Sequence, residues 1–202
     1  MKICMVGWYF NPDLIKLMEK VSERHKVDVV AHRDGEHGSL DMLLVDNIGL
    51  EFHCYDTYIK RLWDGESDVL FLHDDLEVHP VMVNYEIIPP TNIFNRLAKL
   101  DIDQGYIFQN EDDAGWNAYK DGRLILISGR LIKHLRESGG LWFDVHNTGQ
   151  TTTGPYNAGI VEFHNRMNHL HKQFNICNII YCPAIKTLRR NGEVEHSINA
   201  RV

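Results

Sequence analysis

Val69-Leu70-Phe71-Leu72-His73-Asp74-Asp75-Leu76-Glu77 carries an unbroken apolar run straight into a cluster of acids. Apolar residues without alternation are the pattern of a strand covered on both faces, as in a parallel sheet with helices packed on each side. Adjacent carboxylates at the end of such a strand repel each other, by about 4 kcal/mol for two charges 4 Å apart at an effective dielectric near 20. Protonation, exposure to water or a bound cation relieves that repulsion. Oxygen donors of this sort suit magnesium or manganese, ions that commonly bridge protein carboxylates to substrate phosphates. A solvated turn capping the next segment is the competing reading, and local sequence weighs the two equally.

Outward from this stretch, the same alternation of buried strand and amphipathic helix runs back to the N-terminus. Residues 2–8 form a short apolar run, Asn11-Pro12-Asp13 supplies a helix start, and Leu14, Leu17, Met18 and Val21 follow at helical spacing. Residues 27–31 read as a second buried strand and 32–39 as a polar loop at its end. Tyr55, Tyr58, Ile59 and Leu62 then share one helical face, and Asp64-Gly65-Glu66-Ser67 turns the chain into the strand that ends at His73. Units of this kind predict an α/β fold, a Rossmann-like mixed, mostly parallel sheet flanked by helices. Ligands bind such sheets beyond the carboxyl ends of the strands, where residues 8–11, 32–34 and 73–77 gather. Further on, 105–109, 124–127 and 176–182 read as strands and 129–137 as a short helix. A glycine- and threonine-rich loop spans 139–155, and Ile160, Phe163, Met167, Leu170 and Phe174 mark a last amphipathic helix.

A chain of 202 residues with 44% hydrophobic residues buries enough core to need neither disulfides nor a structural metal. One domain over 1–202 is expected. The net charge of −7 offers a duplex no broad basic face, so no nucleic-acid partner is expected. Cys4, Cys54, Cys177 and Cys182 form no C-x-x-C pair and read as reduced thiols. No apolar signal core opens the sequence and no run approaches the roughly 20 residues of a membrane span, so a cytoplasmic location without a transmembrane segment is expected. Twelve histidines invite a zinc reading, but no H-E-x-x-H pair supports it. There is likewise no G-x-x-x-x-G-K-[ST] loop, no G-x-G-x-x-G after the first strand and no G-x-S-x-G elbow, which sets aside P-loop kinases, Rossmann dehydrogenases and α/β-hydrolases.

The order of elements, the string VLFLHDDLEV and the preceding Asp46-Asn47-Ile48-Gly49 segment resemble the GT-A glycosyltransferases, in particular the family-two group, whose third main strand ends in an acidic motif. The resemblance places Asp75 at the metal-ligand position, Asp74 at the middle position near ribose or metal, and His73 where the first aspartate usually stands. It implies that Asp34, at the end of the second strand, reads the uracil edge with Arg33 beside it. Trp8, Tyr9 and Phe10 fall in the base-binding loop, where one ring would stack on the base; core packing is an equal reading for each. Residues 1–80 would form the nucleotide-binding half and 105–202 the acceptor-side half. Gly139-Gly140-Leu141-Trp142-Phe143-Asp144 is similar to the turn that frames the acceptor, which makes Asp144 a catalytic candidate. The motif that supplies the general base is reduced to Glu162-Phe163-His164-Asn165, which keeps Glu162 alone. His196 stands where a third metal ligand is common, and Arg189 is a candidate for the diphosphate, although a solvated tail explains both as well.

Taken together, the resemblance implies a glycosyltransferase dependent on Mn2+ or Mg2+. It implies a nucleoside-diphosphate sugar donor of the UDP type and an acceptor that the residues do not identify. A non-catalytic nucleotide or nucleotide-sugar binding protein is the first alternative, favoured by the eroded Glu162 motif. A metal-dependent phosphohydrolase or nucleotidyltransferase is the second.

Overall fold

Each apolar run of the first half becomes a strand in the computed structural model, which describes residues 1–47, 51–100, 105–109, 124–137, 177–181 and 184–187. In chain order the strands that build the main sheet are β1 (Lys2–Gly7), β2 (Lys26–Ala31), β3 (Asp41–Leu44), β4 (Val69–His73), β8 (Gly105–Gln109), β9 (Leu124–Ile127) and β10 (Cys177–Tyr181). Three shorter strands, β5 (Leu76–Val78), β6 (Val81–Val83) and β7 (Glu86–Ile88), follow β4, and β11 (Ile185–Thr187) returns to pair antiparallel with β5. The helices are α1 (Pro12–Ser22), α2 (Glu51–Arg61), α3 (Pro90–Leu97) and α4 (Gly129–Glu137).

The main sheet has seven strands in the order β10-β8-β9-β4-β1-β2-β3. All pairs are parallel except those of β9, which runs antiparallel to both β4 and β8, so the sheet is mixed and mostly parallel. β1 lies inside the sheet with β2 on one side and β4 on the other. The strand order therefore reverses between β1 and β4, and this switch point is where the acids at the end of β4 emerge.

Period-two alternation divides the core between the two faces of the sheet. Cys4, Val6, Val69 and Phe71 pack with Tyr55, Tyr58 and Ile59 of α2 and Leu131 and Ile132 of α4. Ile3, Met5, Leu70 and Leu72 pack on the opposite face with Leu14, Ile15 and Met18 of α1 and Ile93, Phe94 and Leu97 of α3. Both faces are covered, which is why these strands carry no polar alternation. α1 starts as the sequence predicts: Asn11 caps it by accepting from the Asp13 N–H at 3.1 Å, ahead of Pro12. Ser128 Oγ accepts from the Leu131 N–H at 3.1 Å at the head of α4.

The turn feeding β4 is closed by one side chain. Asp64 Oδ1 accepts the Glu66 and Ser67 N–H groups at 3.0 and 2.9 Å, and Oδ2 accepts the Ser67 hydroxyl at 2.7 Å. The Ser67 N–H, against the opposing effect of burial, and with the Ser67 hydroxyl, the Glu66 N–H and Lys2 assisting, holds the Asp64 carboxyl well below the usual carboxylate range. Because its folded-state pKa is depressed, its stabilisation is present above the unfolded value near 4 and is lost as pH falls through the folded value. Asp64→Ala should cost about 1 kcal/mol at pH 7, kept small by solvent screening at a half-exposed site. In urea unfolding the gap to wild type should narrow below pH 4; a gap that widens there contradicts the assignment.

Several features lay outside the sequence reading, β5 among them, since residues 73–77 read as a loop beyond the strand end. β3 is an edge strand whose residues are exposed or half-buried, so it shows no apolar run. β6 and β7 form a hairpin through Asn84 and Tyr85, both at positive φ (50° and 66°). α3 begins at a proline pair, and β11 is three residues long. The 160–174 helix and the 139–155 loop lie outside the described residues.

Candidate functional site

At the switch point the two adjacent acids separate into different roles. Asp74 is fully buried (0% exposed), and its Oδ2 accepts three successive backbone N–H groups, from Trp8, Tyr9 and Phe10, at 2.9, 2.7 and 2.5 Å. Consecutive amides converging in this way make a concave anion seat, and a charge-assisted bond to each tethers the end of β1 to the end of β4. Among the described residues Asp74 Oδ1 has no hydrogen-bond partner, and it lies 3.5 Å from His73 Nδ1. The sequence expectation put Asp74 at ribose or metal; the structure makes it an anchor of the 8–10 loop, because that loop turns three successive amides toward its Oδ2.

Asp75 is the more accessible acid, with its side chain 17% exposed, and its Oδ1 sits 2.9 Å from His73 Nδ1. Burial works against a charged ring at His73, yet Asp75, by charge and hydrogen bond, with Asp74 and Glu51 behind it, outweighs burial and raises His73 to about 9. Burial pushes the Asp74 carboxyl above its usual range, opposed by His73 and by the three amides. An internal imidazolium thus relieves part of the repulsion for which the sequence offered only protonation, water or a bound ion. What remains in favour of an ion is the donor chemistry. Asp75 is a hard oxygen ligand at a strand end, and ions of the magnesium type take one or two protein carboxylates and complete their shell with phosphate and water. Among the described residues no group of three His, Cys, Asp or Glu is arranged to hold a metal ion.

The three aromatic residues after β1 also divide. Phe10 takes a left-handed backbone (φ 54°) and wedges its ring between Gly7 and Gly35: a Cβ at Gly35 would lie 2.2 Å from Phe10 Cδ2, and one at Gly7 3.1 Å from Phe10 Cζ. Its role is packing. Tyr9 meets the His73 ring edge-on at 5.8 Å between centroids. Trp8 is half-buried, with the Arg33 guanidinium 5.3 Å from its ring centroid. Asp34 is exposed, and its Oδ1 accepts the N–H of Gly35 at 2.9 Å. Trp8, Tyr9, Arg33, Asp34, Asp74 and Asp75 therefore share one end of the sheet. Asp144, Glu162, Arg189 and His196 lie outside the described residues.

Sequence reasoning missed an imidazole pair beside Trp8. His32 meets Trp8 edge-on at 6.2 Å and stacks with His53 of α2 at 6.3 Å. The Nδ1–H groups of both rings donate to one acceptor, the Asp46 carbonyl, at 3.1 and 2.6 Å. In a neutral ring that leaves His32 Nε2 as an acceptor, and it lies 3.3 Å from Cys54 Sγ, whose thiol burial holds protonated. A conserved-looking spacing does not exist for such a group; the partners come from β2, the loop after β3 and α2.

The fold and the site define a doubly wound α/β domain with acids, imidazoles and aromatic rings gathered at its switch point. No family model matches the chain, and no curated protein matches it. Similar solved structures include the glycosyltransferase GlyE of Streptococcus pneumoniae TIGR4, with 16% identity, a TM-score of 0.48, and coverage of 89% of this chain and 44% of that one. This chain thus spans under half the length of GlyE. A glycosyltransferase involved in glycosylation of the major capsid of PBCV-1 has 13% identity and a TM-score of 0.44, over 90% of this chain and 81% of that one. The galactosyltransferase LgtC, solved with donor and acceptor sugar analogues, has 10% identity and a TM-score of 0.47, over 100% of this chain and 91% of that one. Among the described residues no helix is long and apolar enough to cross a membrane.

Proposed function

We propose that this chain is a metal-dependent glycosyltransferase of the GT-A type whose donor is a UDP-linked sugar. The observation that carries the proposal is the accessible Asp75 at the switch point, beside a loop that presents Trp8 under the Arg33 guanidinium. In this reading Trp8 offers a face to the base, Arg33 and Asp34 offer it a cation and an acceptor, and Asp75 holds the ion. When bound, Mn2+ or Mg2+ supplies charge neutralisation for the departing diphosphate. Asp74 contributes indirectly, by fixing the amides of residues 8–10 so that the aromatic loop is already formed before a ligand arrives. Arg189 and His196 are assigned to diphosphate and ion, and Asp144 and Glu162 to the acceptor side, on the resemblance alone. The eroded motif at Glu162 favours a second reading, a binding protein without turnover, which release of free sugar or transfer to added acceptors would distinguish.

Calorimetric titration of UDP, with GDP and ADP as controls and with and without manganese, tests the proposal. Selective, manganese-dependent binding of UDP is expected. Asp75→Ala should abolish the manganese-dependent part, at a cost of about 1 to 3 kcal/mol of stability because the buried His73 Nδ1–H loses its acceptor. Equal UDP affinity in that variant with manganese present would remove Asp75 from the site.

A further inference from the structure

His73 stands where the resemblance expects an acid, and the geometry points to a task of its own: we infer that His73 is a positioning residue, whose Nδ1–H holds Asp75 in the orientation in which it receives a divalent cation. The inference rests on the donor-site reading above. It uses the hydrogen bond alone, which an Nδ1–H ring makes whether or not its other nitrogen is protonated.

The two residues differ in how firmly the fold holds them. His73 is the last residue of β4, registered opposite Val6 of β1, and its side chain is only 12% exposed. The Tyr9 ring packs edge-on against it at 5.8 Å, and the next residue along, Asp74, is fixed by its N–H to the Val6 carbonyl at 3.1 Å as well as by its own carboxylate. The imidazole is therefore set by the sheet and by the aromatic loop. Asp75 belongs to no strand: it sits in the two-residue turn between β4 and β5. An aspartate in a turn has open rotamers unless something selects one, and the 2.9 Å bond from His73 Nδ1 to Oδ1 does so. Partners of this kind behind a ligating carboxylate commonly tune metal affinity by 10- to 100-fold.

The test compares His73→Asn, His73→Gln and His73→Ala by titration with Mn2+ and UDP, and with UDP alone. Asparagine keeps an N–H donor close to the Nδ1 position; glutamine carries its donor one bond further out; alanine has none. Manganese-dependent UDP affinity should fall about 10- to 100-fold in the alanine and glutamine variants and stay within about threefold of wild type in the asparagine variant. UDP affinity without manganese should be alike in all four proteins, which a general disturbance of the site would not allow. Equal effects of asparagine and glutamine, or equal losses with and without manganese, would overturn the positioning role while leaving the donor site standing. If wild type binds neither Mn2+ nor UDP, the donor-site reading and the role of His73 fall together.

Discussion

Asp74→Ala is expected to cost about 3 to 5 kcal/mol of stability, as removal of one partner from a buried, charge-assisted cluster does. The substitution strips the acceptor from three neighbouring N–H groups at once and leaves them facing an apolar space, together with an imidazole 3.5 Å away that loses a counter-charge. Because the same carboxylate joins the ends of β1 and β4, the loss should appear as a lower urea midpoint and as faster amide exchange at residues 8–10. Asp74→Asn keeps an acceptor oxygen of similar shape and should recover roughly half of the loss. Asp75→Ala, one residue away, takes one acceptor from His73 rather than three from the backbone and should cost less, about 1 to 3 kcal/mol. A loss below about 1 kcal/mol for Asp74→Ala would mean that water enters and serves the amides, and the anchoring role would be abandoned.

Gly129→Ala should cost about 3 kcal/mol, at the upper end of what overpacking does. A Cβ at this position would stand 1.8 Å from the Glu66 carbonyl oxygen and 2.6 Å from its carbon. Backbone atoms, unlike the tip of a long side chain, have little room to yield here. The Glu66 carbonyl belongs to the turn closed by Asp64, and the Gly129 N–H is tied to Asp68 Oδ1 at 2.9 Å, so neither wall retreats without breaking a hydrogen bond. The first turn of α4 would have to slide, and with it Leu131 and Ile132 in the core beneath α2. On a domain of this size the thermal midpoint should drop by about 10 °C. A midpoint within 2 °C of wild type would show that the turn relaxes at little cost.

The parts of the fold legible in the sequence are those whose burial is complete. β1, β2 and β4 are covered on both faces, so they appear as apolar runs, interrupted in β2 only by the buried Asp28 that pairs with Lys26 at 3.1 Å, and α1 and α2 show one apolar stripe each. β3 is half exposed at the sheet edge and offers no such run. The β6–β7 hairpin is hidden for a different reason: its second turn residue is Tyr85, 98% exposed, where glycine would announce a positive φ. At the site, the acidic cluster was visible as a cluster, but its division of labour was not. Asp74 and Asp75 look alike locally, and what distinguishes them is a loop more than sixty residues away in sequence that brings three amides to one of the two. The His32 and His53 pair was invisible for the same reason, since only folding brings both rings to the carbonyl of Asp46.

The seat formed by the amides of residues 8–10 lies where the first strand of a doubly wound sheet turns toward its helix, the place where many such proteins grip a phosphate through the main chain. Here the protein supplies its own pseudo-ligand. A tethered carboxylate competes at an effective concentration set by the fold rather than by the solution, so free phosphate groups are shut out of this turn. In the proposed donor site, discrimination among ligands would then pass from backbone amides, which accept any anion of the right size, to side chains such as Trp8, Arg33 and Asp75, which can be exchanged one at a time without rebuilding the loop.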